Sequence, residues 1–316
     1  MTIRDLIHEP TPCSKIPEDG LMLVEDIQLG LCSMHSYTWR LQEQLRYNPN
    51  VDSDNKGAHM HTLMTQLESW KRLLYLLPIQ CSDLPNLSQE ARMAMRFYHG
   101  FEDHSEVGWQ SIVFARPKSL HFDALMLYHL SSLHACLDIK LIHRIAKERS
   151  YGDALDVYGA SYCQERTRRM KKIRELTLTP NMRRALYHSA CTLVLYNSLS
   201  DLEKQTVDPI TYIVLSVGAL VIWAYCTFVE RGCGICALEP GLILPSDIMP
   251  AVELTMWTET RNKGNVQGRD CWIDKGGGLV LLMGSSLCRC NQELLTSNYR
   301  QCIPDDWDLA KYIFPF

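Results

Sequence analysis

The segment Pro209–Val229, PITYIVLSVGALVIWAYCTFV, runs for 21 residues without a charge. It constrains the fold more than any other part of the chain. As an α-helix it would extend about 32 Å, enough to cross a bilayer core. It stands alone near the middle of the sequence and carries Thr211, Ser216, Thr227 and two tyrosines. Neither flank offers a cluster of positive charge to orient it in a membrane. A helix enclosed on every side in a large helical core has the same composition. The expectation is therefore a core helix and not an integral membrane protein, with membrane spanning by Pro209–Val229 as the competing reading.

The remaining pattern supplies helices to enclose it. Apolar side chains recur at helical spacing from Leu21 to Leu45 through Leu23, Ile27, Leu31, Met34 and Leu41. A polar loop is expected at Asn48–Gly57, then a helix from Ala58 to Leu77 with Leu63, Leu67, Trp70 and Leu74 on its inner side. Helices are expected over 88–98 and 103–115, with Pro117 ending the second. Leu120 to Glu148, free of Pro and Gly, reads as one long helix. Another follows from Asp153 to Leu176. Thr179-Pro180 reads as an N-cap and first helical residue of a helix reaching Leu199, and Asp208-Pro209 repeats that signal.

Beyond Glu230 the glycines and prolines break the periodicity. Helices are expected at Ser246–Glu259, near 284–300 and at Asp305–Ile313, between irregular stretches. The fold class is all-α, a multi-helix globular domain with a partly irregular C-terminal region. Residues 1–20 form an N-terminal arm and 21–316 a single helical domain. At 316 residues, 46% of them apolar and 22% charged, the chain can bury a large core without disulfide or metal support.

The formal charge of -4 gives no global attraction to phosphate backbones. Thirteen scattered cysteines and a polar start, MTIRDLIHEP, point away from a secreted disulfide scaffold and toward a reduced intracellular compartment, nucleus or cytoplasm. Most of the thiols read as small buried hydrophobes. Cys233 and Cys236 have the C-x-x-C spacing of a metal or redox pair, but no further ligands are fixed by spacing, so no metal site and no cofactor are expected. Lys275 and Gly276–Gly278 lack the spaced glycines and Lys-Ser/Thr of a phosphate loop and read as a turn.

Two sets of residues carry functional alternatives. Arg166, Arg168, Arg169, Lys171, Lys172 and Arg174 fall within nine residues. They form either a solvated face or a surface for a partner or for nuclear import, and Arg183 and Arg184 follow them. His121, Leu125 and His129 fall at successive i,i+4 steps, and His134 and Asp138 share a face. His129, His188, Tyr225 and Glu230 are the candidate acid–base residues of a cofactor-independent enzyme that holds an apolar substrate in a helical pocket, for example a cyclase or isomerase. No H-E-x-x-H, E-x-x-H pair or G-x-S-x-G elbow accompanies them.

Four longer strings carry a resemblance. LMLVEDIQLGLCSMHSYTWRL at 21–41, FDALMLYHLSSLHACLDIKLIHRIA at 122–146, MRRALYHSACTLVLYNSL at 182–199 and DPITYIVLSVGALVIWAYCTFVE at 208–230 resemble, in order, the regulatory or middle homology domain of fungal zinc-finger transcription factors. The resemblance implies an all-α regulatory domain, nuclear localisation and attachment to a Cys/His or six-cysteine zinc module. His188, Trp223 and Tyr225 match family positions with packing roles. The sequence departs from the family where DNA is read, having neither a C-x-x-C…H-x-x-x-H finger nor a six-cysteine cluster.

The resemblance thus implies a stand-alone or truncated regulator that binds a protein partner or a small apolar effector, without sequence-specific DNA contacts of its own. A helical domain recruited as an enzyme of fungal secondary metabolism is the alternative. The biosynthetic-cluster setting rests on analogy of fold.

Overall fold

The structure, a computed structural model, describes residues 23–47, 53–76, 109–150, 159–229, 252–257, 263–276 and 280–307. The expected arm at 1–20 and helix at 88–98 lie outside these residues, as do Glu230, Cys233 and Cys236. The described helices are α1 Val24–Tyr47, α2 Ser53–Leu76, α3 Trp109–Cys136, α4 Ile139–Ser150, α5 Gly159–Thr177, α6 Pro180–Asn197, α7 Asp201–Lys204, α8 Ile210–Phe228, α9 Lys263–Lys275 and α10 Gln292–Arg300. Three strands of two or three residues, β1 Val252–Glu253, β2 Val280–Leu282 and β3 Ser285–Ser286, leave the class all-α.

The chain forms two compact units. One runs through Ala135 and takes in Ser200–Thr211; the other comprises Cys136–Leu199 and the chain from Tyr212. In the first, the apolar stripe of α1 (Val24, Ile27, Leu31, Met34, Leu41) is buried, as are Leu63, Leu67, Trp70 and Leu74 of α2. The two helices approach so closely that a Cβ built at Gly30 meets Trp70 Cζ2 at 2.6 Å and Cζ3 at 2.7 Å. Helix α3 joins them through polar contacts. Tyr128 donates its hydroxyl to Glu68 Oε1 at 2.7 Å, and His121 Nε2 lies 3.2 Å from the Leu74 carbonyl.

In the second unit α8 is buried on all sides from Val214 to Ala224. It is long and apolar enough to cross a membrane, yet 72% of its most apolar window is buried in the structure, which is the condition of a core helix. Asp208 opens it by accepting the Ile210 N–H at 2.8 Å. A Cβ at Gly218 would meet Tyr299 Cε1 at 3.0 Å and Thr192 Oγ1 at 3.3 Å, so α6, α8 and α10 share one tight contact. Tyr299, fully buried, donates to the Ser189 carbonyl at 2.8 Å.

Several boundaries differ from the sequence reading. The expected single helix at 120–148 breaks at Leu137–Asp138, because Asp138 Oδ1 accepts the Leu141 N–H at 3.1 Å and caps α4. Pro117 lies inside α3 and does not end it. Helix α2 begins at Ser53, within the expected loop. Within the expected Ser246–Glu259 helix, Val252–Glu253 is a strand paired in parallel with β2, followed by a 3-10 turn at Leu254–Trp257. Residues 284–286 belong to the β2–β3 hairpin, whose turn residues Met283 (φ 52°) and Gly284 (φ 75°) both take the left-handed conformation that such short hairpins require. Thr179 does cap α6, accepting the Met182 N–H at 3.3 Å, with Pro180 as the first helical residue.

Arg183 and Arg184 leave the basic stretch to hold α9. Arg183 donates from Nε to the Ile273 carbonyl at 2.7 Å, from Nη2 to Asp274 O at 2.9 Å and from Nη1 to Leu178 O at 2.9 Å. These carbonyls end α9 and follow α5, where the helices lack partners of their own. Gly276 terminates α9 at φ 70°, and a Cβ there would reach Arg183 Nη1 at 3.0 Å. Arg183→Lys keeps the charge but loses the three-way fork. It is expected to cost about 1–3 kcal/mol in urea unfolding; a loss no greater than that of a neutral surface change would refute this role for the fork.

Candidate functional site

The six cations of the basic stretch all lie on α5, and helical geometry divides them. Arg169 is buried, Arg166 is half-buried, and Arg168, Lys171, Lys172 and Arg174 are exposed. The inner arginine is held by Glu148 of α4. Its Nη2 lies 2.7 Å from Glu148 Oε1, with the two side chains only 7% and 8% exposed. The same oxygen accepts Arg144 Nε at 3.1 Å, and Glu165 approaches Arg169 Nη1 at 3.4 Å. Ile173 is buried at the same inner side of α5.

The outer face is thus cationic by construction. Its only described ion pair joins Arg168 to Glu165 at 3.7 Å, both exposed, so it neutralises little. Lys171, Lys172 and Arg174 have no ion pair among the described residues. Sequence spacing found these cations but missed Glu148, which sorts them into inner and outer groups. The available signal was its i,i+4 relation to Arg144.

The candidate acid–base residues do not form one constellation in either unit. His129 belongs to the first unit, His188 and Tyr225 to the second, and Glu230 lies outside the described residues. His129 is buried against Tyr128, with ring centroids 5.0 Å apart. Burial, reinforced by the charge of Lys71, drives its imidazole pKa down to about 3. It stays neutral at physiological pH and is no proton donor there. His188 is likewise buried beside the Tyr187 ring, and Tyr225 is half-buried. His134 packs edge-on against His35, with centroids 5.1 Å apart. Among the described residues no group of three or more His, Cys, Asp or Glu is placed to hold a metal ion.

Among the described residues the carboxyl group most displaced toward neutral pH is Asp123 of α3, which sequence spacing did not single out. It is 7% exposed, its Oδ1 has no hydrogen-bond partner among the described residues, and it accepts the backbone N–H of Asp208. Burial first, then the charge of Asp208, raises its pKa to about 6. Ionisation of Asp123 therefore opposes folding: the penalty is full above pH 6 and disappears as pH falls toward the ordinary carboxylate value near 3.8. Asp123→Asn is expected to stabilise the protein at pH 7.5 by about 1–2 kcal/mol, after allowance for solvent around Asp208. The gap to wild type should close between pH 6 and pH 4. Equal stability of the two chains at pH 7.5 would rule this out.

A scan against protein-family models and searches of curated proteins and of solved structures found no match to the chain. What can be said of its task rests on its own residues.

Proposed function

We propose that the protein is a regulator-like helical domain, similar to the regulatory domain of fungal zinc-finger transcription factors, which works through a protein partner. The observation that carries the reading is the division of α5: one arginine is locked inside by Glu148, while Arg168, Lys171, Lys172 and Arg174 face solvent. Such a face suits an acidic partner segment or the import machinery of the nucleus. The chain's net charge of -4 favours a protein partner over nucleic acid.

The four strings that suggest the family support the reading by their placement. Their described residues fall mainly on α1, on α3 with α4, on α6 and on α8, and His188 and Trp223 among them are buried packing residues. The secondary-metabolite setting belongs to this proposal and to no observation of structure.

The test is a deletion strain in which transcripts of neighbouring genes and metabolites are measured in the same cultures. The reading expects transcripts and products to fall together, with wild type restoring them and a chain carrying Gln at 168, 171, 172 and 174 failing to do so. Unchanged transcripts with one accumulated intermediate would overturn it in favour of an enzyme.

A further inference from the structure

We propose that Lys171, Arg174 and Leu178 form one docking row, and that it takes an acidic partner segment carrying a bulky apolar side chain. The inference rests on the partner reading above and names the chemistry of that partner. At about 100° per residue, the exposed face of α5 divides lengthwise into two strips. On one strip Arg168 and Lys172 lie between the exposed carboxylates of Glu165 and Glu175, with Arg168 3.7 Å from Glu165. The charges of that strip cancel. On the other strip Lys171 and Arg174 lie beside Thr167, and none of its residues is acidic.

Leu178 extends the second strip. Its N–H donates to the Glu175 carbonyl at 3.3 Å, which keeps it on the helical path just past Thr177. Lys171, Arg174 and Leu178 thus stand at i, i+3 and i+7 and span about 10 Å along the helix. The Leu178 side chain is 62% exposed, while its carbonyl accepts Arg183 Nη1 at 2.9 Å. A large apolar side chain is therefore presented to solvent from a turn that Arg183 fixes.

Charge complementarity selects the occupant. Two uncompensated cations and one apolar side chain in line suit two carboxylates followed by a leucine-sized residue at matching spacing. A nucleic-acid backbone fits less well, because Glu165 and Glu175 stand exposed beside the row and repel phosphates. A lipid surface would need the apolar side of α5, and that side is spent inside, where Ile173 is buried.

The experiment is fluorescence anisotropy with the full chain at about 150 mM sodium chloride. The probe is a fluorescein-labelled, helix-forming peptide with two Glu and one Leu at i, i+3 and i+7 on an Ala/Gln background. Leu178→Ser is expected to weaken binding about five- to tenfold, and replacing the peptide Leu with Ser should do the same without a further loss in combination. Lys171→Gln with Arg174→Gln should weaken it about tenfold, and Arg168→Gln with Lys172→Gln less than twofold. The proposal is overturned if the peptide does not bind, if its Leu and Ser forms bind equally, or if the 168/172 pair costs as much as the 171/174 pair. It is also overturned if duplex DNA displaces the peptide at equal charge concentration. The deletion strain separates this row from the partner reading. Transcripts that fall on deletion and return with Leu178→Ser overturn the row alone, whereas transcripts unchanged by deletion overturn the partner reading.

Discussion

Glu148→Ala is expected to destabilise the unit containing α4 and α5 by about 3–5 kcal/mol, the largest loss foreseen for a single substitution in this chain. The pair it breaks is almost fully buried, at 7% and 8% exposure. Removal of the carboxylate leaves Arg169 charged in the interior, with Glu165 at 3.4 Å as its remaining described ion-pair partner. The loss measures an uncompensated charge and not the net worth of the pair. A double replacement, Glu148→Met with Arg169→Met, should therefore recover most of it. Urea unfolding followed by far-UV circular dichroism reads both. A single-variant loss below about 1 kcal/mol, the range of a solvent-screened pair, would refute the account.

The second large effect is at the crossing of α1 and α2. Alanine ordinarily favours a helix interior over glycine by roughly 0.5–1 kcal/mol. At Gly30 the sign reverses, because the new Cβ would lie 2.6 Å and 2.7 Å from two carbons of the Trp70 ring. Trp70 is 1% exposed and has no free space in which to swing. Gly30→Ala is expected to cost about 1–3 kcal/mol, the range for overpacked cores. Trp70→Phe removes the clashing ring atoms, so in that background Gly30→Ala should become neutral or stabilising. Trp70 Nε1 has no hydrogen-bond partner among the described residues, so the control sacrifices no described hydrogen bond. Additive losses in the double variant would sink this explanation.

Most of the helical content was legible because its signals are local. The stripe Ile27–Leu31–Met34, the Thr179-Pro180 start and the uncharged Pro209–Val229 run each announce a helix within a few residues of their place. The errors came where a polar side chain chose between two local roles. Asp138 looked like a partner for His134 on a continuous helix, and instead it ends α3 and opens α4 by accepting the Leu141 N–H. Residues 280–286, with positive φ at Met283, form a hairpin that helical periodicity could not reveal.

The basic helix shows the same limit for the candidate site. Spacing located all six cations, but which of them turns inward depends on Glu148, 21 residues from Arg169 and on another helix. Arg183 was read as an extension of the positive surface for a similar reason, since its acceptors lie up to 91 residues away in sequence. His129 and His188 were legible as helical histidines, while their burial, and with it the neutral state of His129, depends on tertiary packing.

The Arg183 fork also bears on how the second unit opens. One guanidinium holds the carbonyls at the end of α9 and the carbonyl just past α5, from the first turn of α6. Fraying of any one of these helix ends releases contacts that the others share. Amide protons in the last turns of α5 and α9 should therefore exchange with solvent as one cooperative group, with a common opening free energy.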